Sequence, residues 1–63
     1  MELSGRELRV LRLMARGMTV DEIAAKMRCS RDTVKTYETR VRHKLGAKNA
    51  ANAVAIAYRE GIF

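Results

Sequence analysis

The chain has 63 residues, a formal net charge of +6 and a sequence pI near 10.3. A chain this short makes one small domain, burying only about 60% of the surface its unfolded form exposes. With one cysteine (Cys29) and one histidine (His43), neither a disulfide framework nor a four-ligand zinc site is available to staple it.

The expected elements are four capped helices over 1–63, at about 5–16, 20–28, 31–45 and 50–60. The first opens at Ser4-Gly5-Arg6-Glu7, a capping box in which the Ser4 hydroxyl and the Glu7 carboxylate each satisfy an orphan backbone N–H. Leu8, Leu11, Met14 and Ala15 follow on one face with Val10 beside them. Arg16 suits the dipole in the last turn, and Gly17 can take the left-handed conformation that ends a helix.

The second helix repeats the device with Thr19-Val20-Asp21-Glu22. Ile23, Ala24 and Met27 form its buried face, and Met18 is placed to staple onto it. Arg28-Cys29 is the turn. Ser30 caps the third helix, where Val34, Tyr37, Val41 and Leu45 make a core stripe before Gly46. Asn49 caps the fourth, which carries Ala50, Ala53, Val54, Ala57 and Tyr58 and ends at Gly61. Ile62 and Phe63 are expected to fold back onto the core. No run alternates with period two, so no strand is expected.

A short helix, a tight turn and a second helix opening Ser30-Arg31-Asp32-Thr33-Val34-Lys35 have the spacing of a helix-turn-helix. At about 100° per residue, the face opposite Val34 holds Asp32, Thr36, Thr39 and His43. Lys35 and Arg42 border it on one side and Arg40 on the other. Short side chains let a helix sit deep in the DNA major groove, and bordering cations meet phosphates. From Arg31 to Lys44 the five cations Arg31, Lys35, Arg40, Arg42 and Lys44 face two acids, Asp32 and Glu38. A solvated face more commonly mixes Glu and Lys in i,i+4 pairs. The net positive charge is itself the electrostatic footprint of a nucleic-acid binder.

These residues resemble the LuxR/GerE-type DNA-binding domain, also found at the C-terminus of NarL-like response regulators. The match runs through Leu3-Ser4-Gly5-Arg6-Glu7, Val10-Leu11, Ala15-Arg16-Gly17, Glu22-Ile23-Ala24, Ser30 and Thr33-Val34-Lys35. It continues through Lys44-Leu45-Gly46-Ala47-Lys48-Asn49 to Ala53-Val54. The resemblance implies an all-α, four-helix domain of the winged-helix-like superfamily that binds double-stranded DNA as a dimer and regulates transcription. It implies base contacts from Lys35, Thr36 and Thr39, and phosphate contacts from Thr33, Arg40 and Lys44. Arg31 and His43, at the two ends of the third helix, are added to the phosphate set. The homodimer contact is expected on helix 50–60 through Ala50, Ala53, Val54 and Ala57, a band of small residues that lets two helices approach closely.

Three positions depart from the family pattern. Tyr37 stands where a histidine is usual, and its hydroxyl is placed to reach a phosphate or backbone group. Ala50 replaces the usual arginine after Lys48-Asn49. Cys29 replaces an aliphatic residue and reads as a small buried hydrophobe.

Other functions fit less well. No paired carboxylates share a face and no nucleophile has a base, so an enzyme is not expected, nor a cofactor, metal or small-molecule ligand. No apolar run approaches the ~20 residues of a membrane span, and no signal peptide is visible. An unpaired cysteine suits a reducing cytoplasm. A second reading is a protein-interaction module contacting RNA polymerase or another regulator with only weak DNA binding. Met1 directly before the domain fits a stand-alone regulator and an effector domain of a larger one equally well.

Overall fold

Ser4, Thr19, Ser30 and Asn49 each hold an extended backbone and accept a hydrogen bond from the N–H three residues on, and a helix follows each. In this computed structural model, which describes residues 2–63, the helices are α1 (Gly5–Ala15), α2 (Val20–Met27), α3 (Arg31–Leu45) and α4 (Ala50–Arg59). Met1 lies outside the described residues. No strand occurs among them.

Both capping boxes form. Ser4 N–H donates to Glu7 Oε1 at 2.8 Å and Glu7 N–H to Ser4 Oγ at 3.1 Å. Thr19 and Glu22 repeat this at 2.8 and 3.2 Å. Each such cap contributes about 1 kcal/mol. A domain of this length holds only roughly 3–9 kcal/mol in total, so local caps are a large share. Gly17, Gly46 and Gly61 all have positive φ just past helix ends.

The long α3 is the hub, touching all three other helices. Its N-terminal half, through Val34, joins Val10, Leu13, Ile23 and Ala24 in one cluster between α1, α2 and α3. Its C-terminal half, through Val41, joins Leu11, Ala53 and Ala57 in a second cluster between α1, α3 and α4. Adjacent residues of α1 therefore point into different clusters. That corrects the expected α1 face: Val10, Leu11 and Leu13 are buried, whereas Leu8, Met14 and Ala15 are only half-buried. A helix packed on two sides buries a wider arc than a one-sided stripe suggests.

The α4 assignment is corrected in the same way. Ala53 and Ala57 are fully buried against this chain's own core, and Ile56 accompanies them. They are not available to a second copy. The outward arc of α4 carries Ala51, Ala55 and Tyr58, with Ala50 and Val54 half-buried on its shoulders. At the C-terminus Ile62 folds onto the second cluster, its N–H donating to Ala57 O at 2.9 Å. Phe63 instead packs edge-on against Tyr58, with ring centroids 4.8 Å apart.

Candidate nucleic-acid interface

The turn between α2 and α3 is made by Arg28, Cys29 and Ser30. Arg28 has φ 56° and ψ 48°, the left-handed region. It is the only non-glycine residue with positive φ among the described residues. That conformation costs an L-residue with a long side chain roughly 1–2 kcal/mol. It lets Cys29 N–H return to Ala24 O at 3.0 Å and turns the chain sharply into α3. Cys29 is half-buried against the first cluster and carries a free thiol. Ser30 Oγ accepts from Thr33 N–H at 3.1 Å and lies 2.9 Å from Thr33 Oγ1. The first turn of α3 is thereby fixed.

With Val34 and Val41 in the core, the opposite face of α3 faces solvent. Asp32, Lys35, Thr36, Thr39, Arg40 and His43 are all exposed on it. Asp32, Lys35, Thr36, Thr39 and Arg40 line one shallow depression. Lys35 and Arg40 form no ion pair among the described residues. Thr36 Oγ1 donates to the Asp32 carbonyl at 2.9 Å, so its proton is committed inside the helix and its oxygen faces outward as an acceptor. Thr39 makes no such bond.

The remaining expected contacts divide. Arg31 Nε pairs with Asp21 Oδ1 at 2.8 Å, but both side chains are largely exposed, so the pair is weak and open to exchange for another anion. The Thr33 hydroxyl is engaged by Ser30. Lys44 is engaged within the fold. Its Nζ lies 2.6 Å from Glu7 Oε1 and 3.2 Å from the Glu2 carbonyl oxygen. The ammonium pairs with a buried carboxylate of the same chain, a partner that a phosphate contact from Lys44 would have to share. Hydrogen bonding to Lys44, then to the Ser4 backbone, holds Glu7 below the ordinary carboxylate range. Tyr37 is half-buried on the first cluster, and its hydroxyl meets Arg6, pushing that guanidinium further above its ordinary value. Of the cations near the face, Arg42 lies half-buried at the helix C-terminus with its Nε unpaired.

The Glu7–Lys44 link was not legible as a pair, because the two residues lie 37 positions apart. Its only signal was a glutamate already assigned to a cap.

The family pattern described as "Bacterial regulatory proteins, luxR family" (GerE) matches residues 1–57. The chain belongs to the luxR family. Its relatives are bacterial transcription regulators. BvgA of Bordetella pertussis is 43% identical over 60 residues, which are 95% of this chain and 29% of that protein. The response regulator RamR of Streptomyces coelicolor is 41% identical over 61 residues, 97% of this chain and 30% of that one. Among solved structures, the response regulator ChrA of a heme-sensing two-component system superposes with a TM-score of 0.95. It is 32% identical, over 100% of this chain and 31% of its own. This luxR-family chain thus spans about a third or less of the relatives it matches. It is an all-α helix-turn-helix domain of a DNA-binding transcription regulator family.

Proposed function

We propose that this domain recognises a specific double-stranded DNA sequence by inserting α3 into the major groove, and regulates transcription from there. The observation that carries this reading is the exposed face of α3. Lys35, Thr36 and Thr39 lie together there with no large apolar side chain among them. Lys35 has donors for guanine O6 and N7. Thr36, with its proton committed to Asp32, acts as an acceptor toward cytosine N4 or adenine N6. Arg40, Arg31 and His43 border the face as phosphate contacts, with Thr33 held at its edge.

Two copies pair through the outward arc of α4. The alanines and Tyr58 on that arc form an exposed apolar strip, with Phe63 of the same chain against one edge of Tyr58. Paired in this way, two recognition helices enter successive major grooves with half-site centres about 10 bp apart. The interface is small, so pairing is completed on DNA.

Selection from a random duplex pool, followed by binding to the selected and scrambled duplexes across a salt series, tests this. The expected result is one preferred half-site repeated at that spacing and binding that falls steeply with salt. Binding with no preference between the two duplexes overturns the proposed readout.

A further inference from the structure

A second cationic surface lies beside the recognition face. Arg6 and Arg9 of α1 and Lys26 and Arg28 of α2 and its turn line one groove of about 370 Å³. Thr33 and Tyr37 of α3 close its other side. All four cations are exposed and none belongs to an ion pair among the described residues. Four unneutralised cations around one groove repel one another, which favours an anion between them. The groove adjoins α3 on the flank of Arg40, so it is continuous with the face that meets DNA.

Arg28 supplies an independent observation. The turn requires a left-handed residue, the conformation that glycine adopts at no steric cost. An arginine there works against the fold. Strain held at one residue beside a binding face points to a role for its side chain.

We propose that this groove grips the phosphate backbone of the DNA strand running along the α1–α2 side of α3, extending the footprint beyond the recognition helix. The proposal rests on the DNA reading above. The duplex backbone is the occupant favoured by charge and by continuity with α3. Phosphates spaced regularly along a strand can meet Arg6, Arg9, Lys26 and Arg28 in turn. Such contacts carry no sequence information, so they add affinity and salt dependence equally on all duplexes.

The test compares Arg9→Gln/Lys26→Gln with Lys48→Gln/Arg59→Gln, which removes equal charge from exposed positions flanking and within α4, away from the groove. Each is titrated with salt on the selected and a scrambled duplex. The groove variant is expected to lower the log K against log salt slope by about 1.8, or about 0.9 for each lost phosphate contact. Its preference for the selected duplex is unchanged, and the control keeps a slope close to wild type. Arg28→Gly is expected to melt no lower than wild type while binding both duplexes more weakly. Opposite signs for folding and binding separate a gripping residue from a structural one.

Equal slopes for the groove variant and wild type overturn the proposal and leave the groove to an acidic protein surface, while DNA reading through α3 stands. Equal losses in both double variants also overturn it, because general charge then accounts for the effect. If Arg28→Gly binds as wild type does, the arginine is not part of the grip and the proposal fails at that residue. If wild type shows no salt-dependent duplex binding, the DNA reading itself fails and this inference with it.

Discussion

Lys44 Nζ meets Glu7 Oε1 at 2.6 Å, joining the last turn of α3 to the first turn of α1. The Glu7 side chain is 4% exposed and that of Lys44 is 28% exposed. The same carboxylate oxygen accepts from Ser4 N–H. One side chain therefore caps α1 and anchors α3.

Lys44→Met keeps most of the aliphatic stem and removes the ammonium, stranding Glu7 without its countercharge. Breaking a fully buried pair costs about 3–5 kcal/mol, and Lys44 retains contact with water, so the loss falls at or below about 3 kcal/mol. The melting temperature drops accordingly, and the salt slope of DNA binding stays at the wild-type value. A slope lower by about one would return Lys44 to the phosphate set.

The same pair makes the fold acid-sensitive. Glu7 has a folded pKa held below its unfolded one, first by Lys44. Its contribution is fully present above the ordinary carboxylate value of 4.5 and is lost as pH falls through the depressed folded value. Thermal melts from neutral pH into acid are expected to show a declining limb below that value. Glu7→Gln starts less stable and has a shallower limb. An unchanged limb in the variant would assign the acid sensitivity to other groups.

Base readout from α3 is tested by Lys35→Ala and Thr39→Ala. Both residues are exposed and leave the core untouched, so melting curves match wild type to within about 0.5 kcal/mol. Discrimination between selected and scrambled duplex falls by about 1–3 kcal/mol per lost base contact. If both variants keep full discrimination, another face of the domain docks on DNA.

Pairing through α4 is tested at Ala55, which is exposed, in preference to Val54, which packs partly onto the second cluster. Ala55→Glu is expected to bind a single half-site as wild type does and to lose cooperativity on a two-half-site duplex. Footprints in which the variant still fills both half-sites together would place the dimer contact elsewhere.

Replacing Leu11 tests the second cluster. The side chain is fully buried against Val41, Ala53 and Ala57. Leu11→Ala is expected to cost about 2–5 kcal/mol, enough to unfold much of a domain this small at physiological temperature. A melting temperature within a few degrees of wild type would mean that this end of the bundle is loosely packed.

The sequence by itself determined the class of fold and where each helix starts. Capping and helix termination are local: Ser4 with Glu7, Thr19 with Glu22, Ser30 with Thr33 and Asn49 with Asn52 all act within three residues. The polar face of α3 was legible for a related reason, since Val34 and Val41 on one helix fix what lies opposite them. Tertiary structure decided which neighbours each face meets. A helical wheel of α1 does not reveal that α2 covers one flank and α4 the other, so Leu13 was missed. The wheel of α4 shows a broad band of alanine without saying which half the core takes, and the core takes Ala53 and Ala57. Lys44 looked like a cation free for DNA because its partner is distant in sequence and close only after folding. The groove of Arg6, Arg9, Lys26 and Arg28 likewise exists only once α1, α2 and α3 have packed. Local backbone chemistry is written in neighbouring residues, whereas burial and charge pairing depend on contacts across the chain.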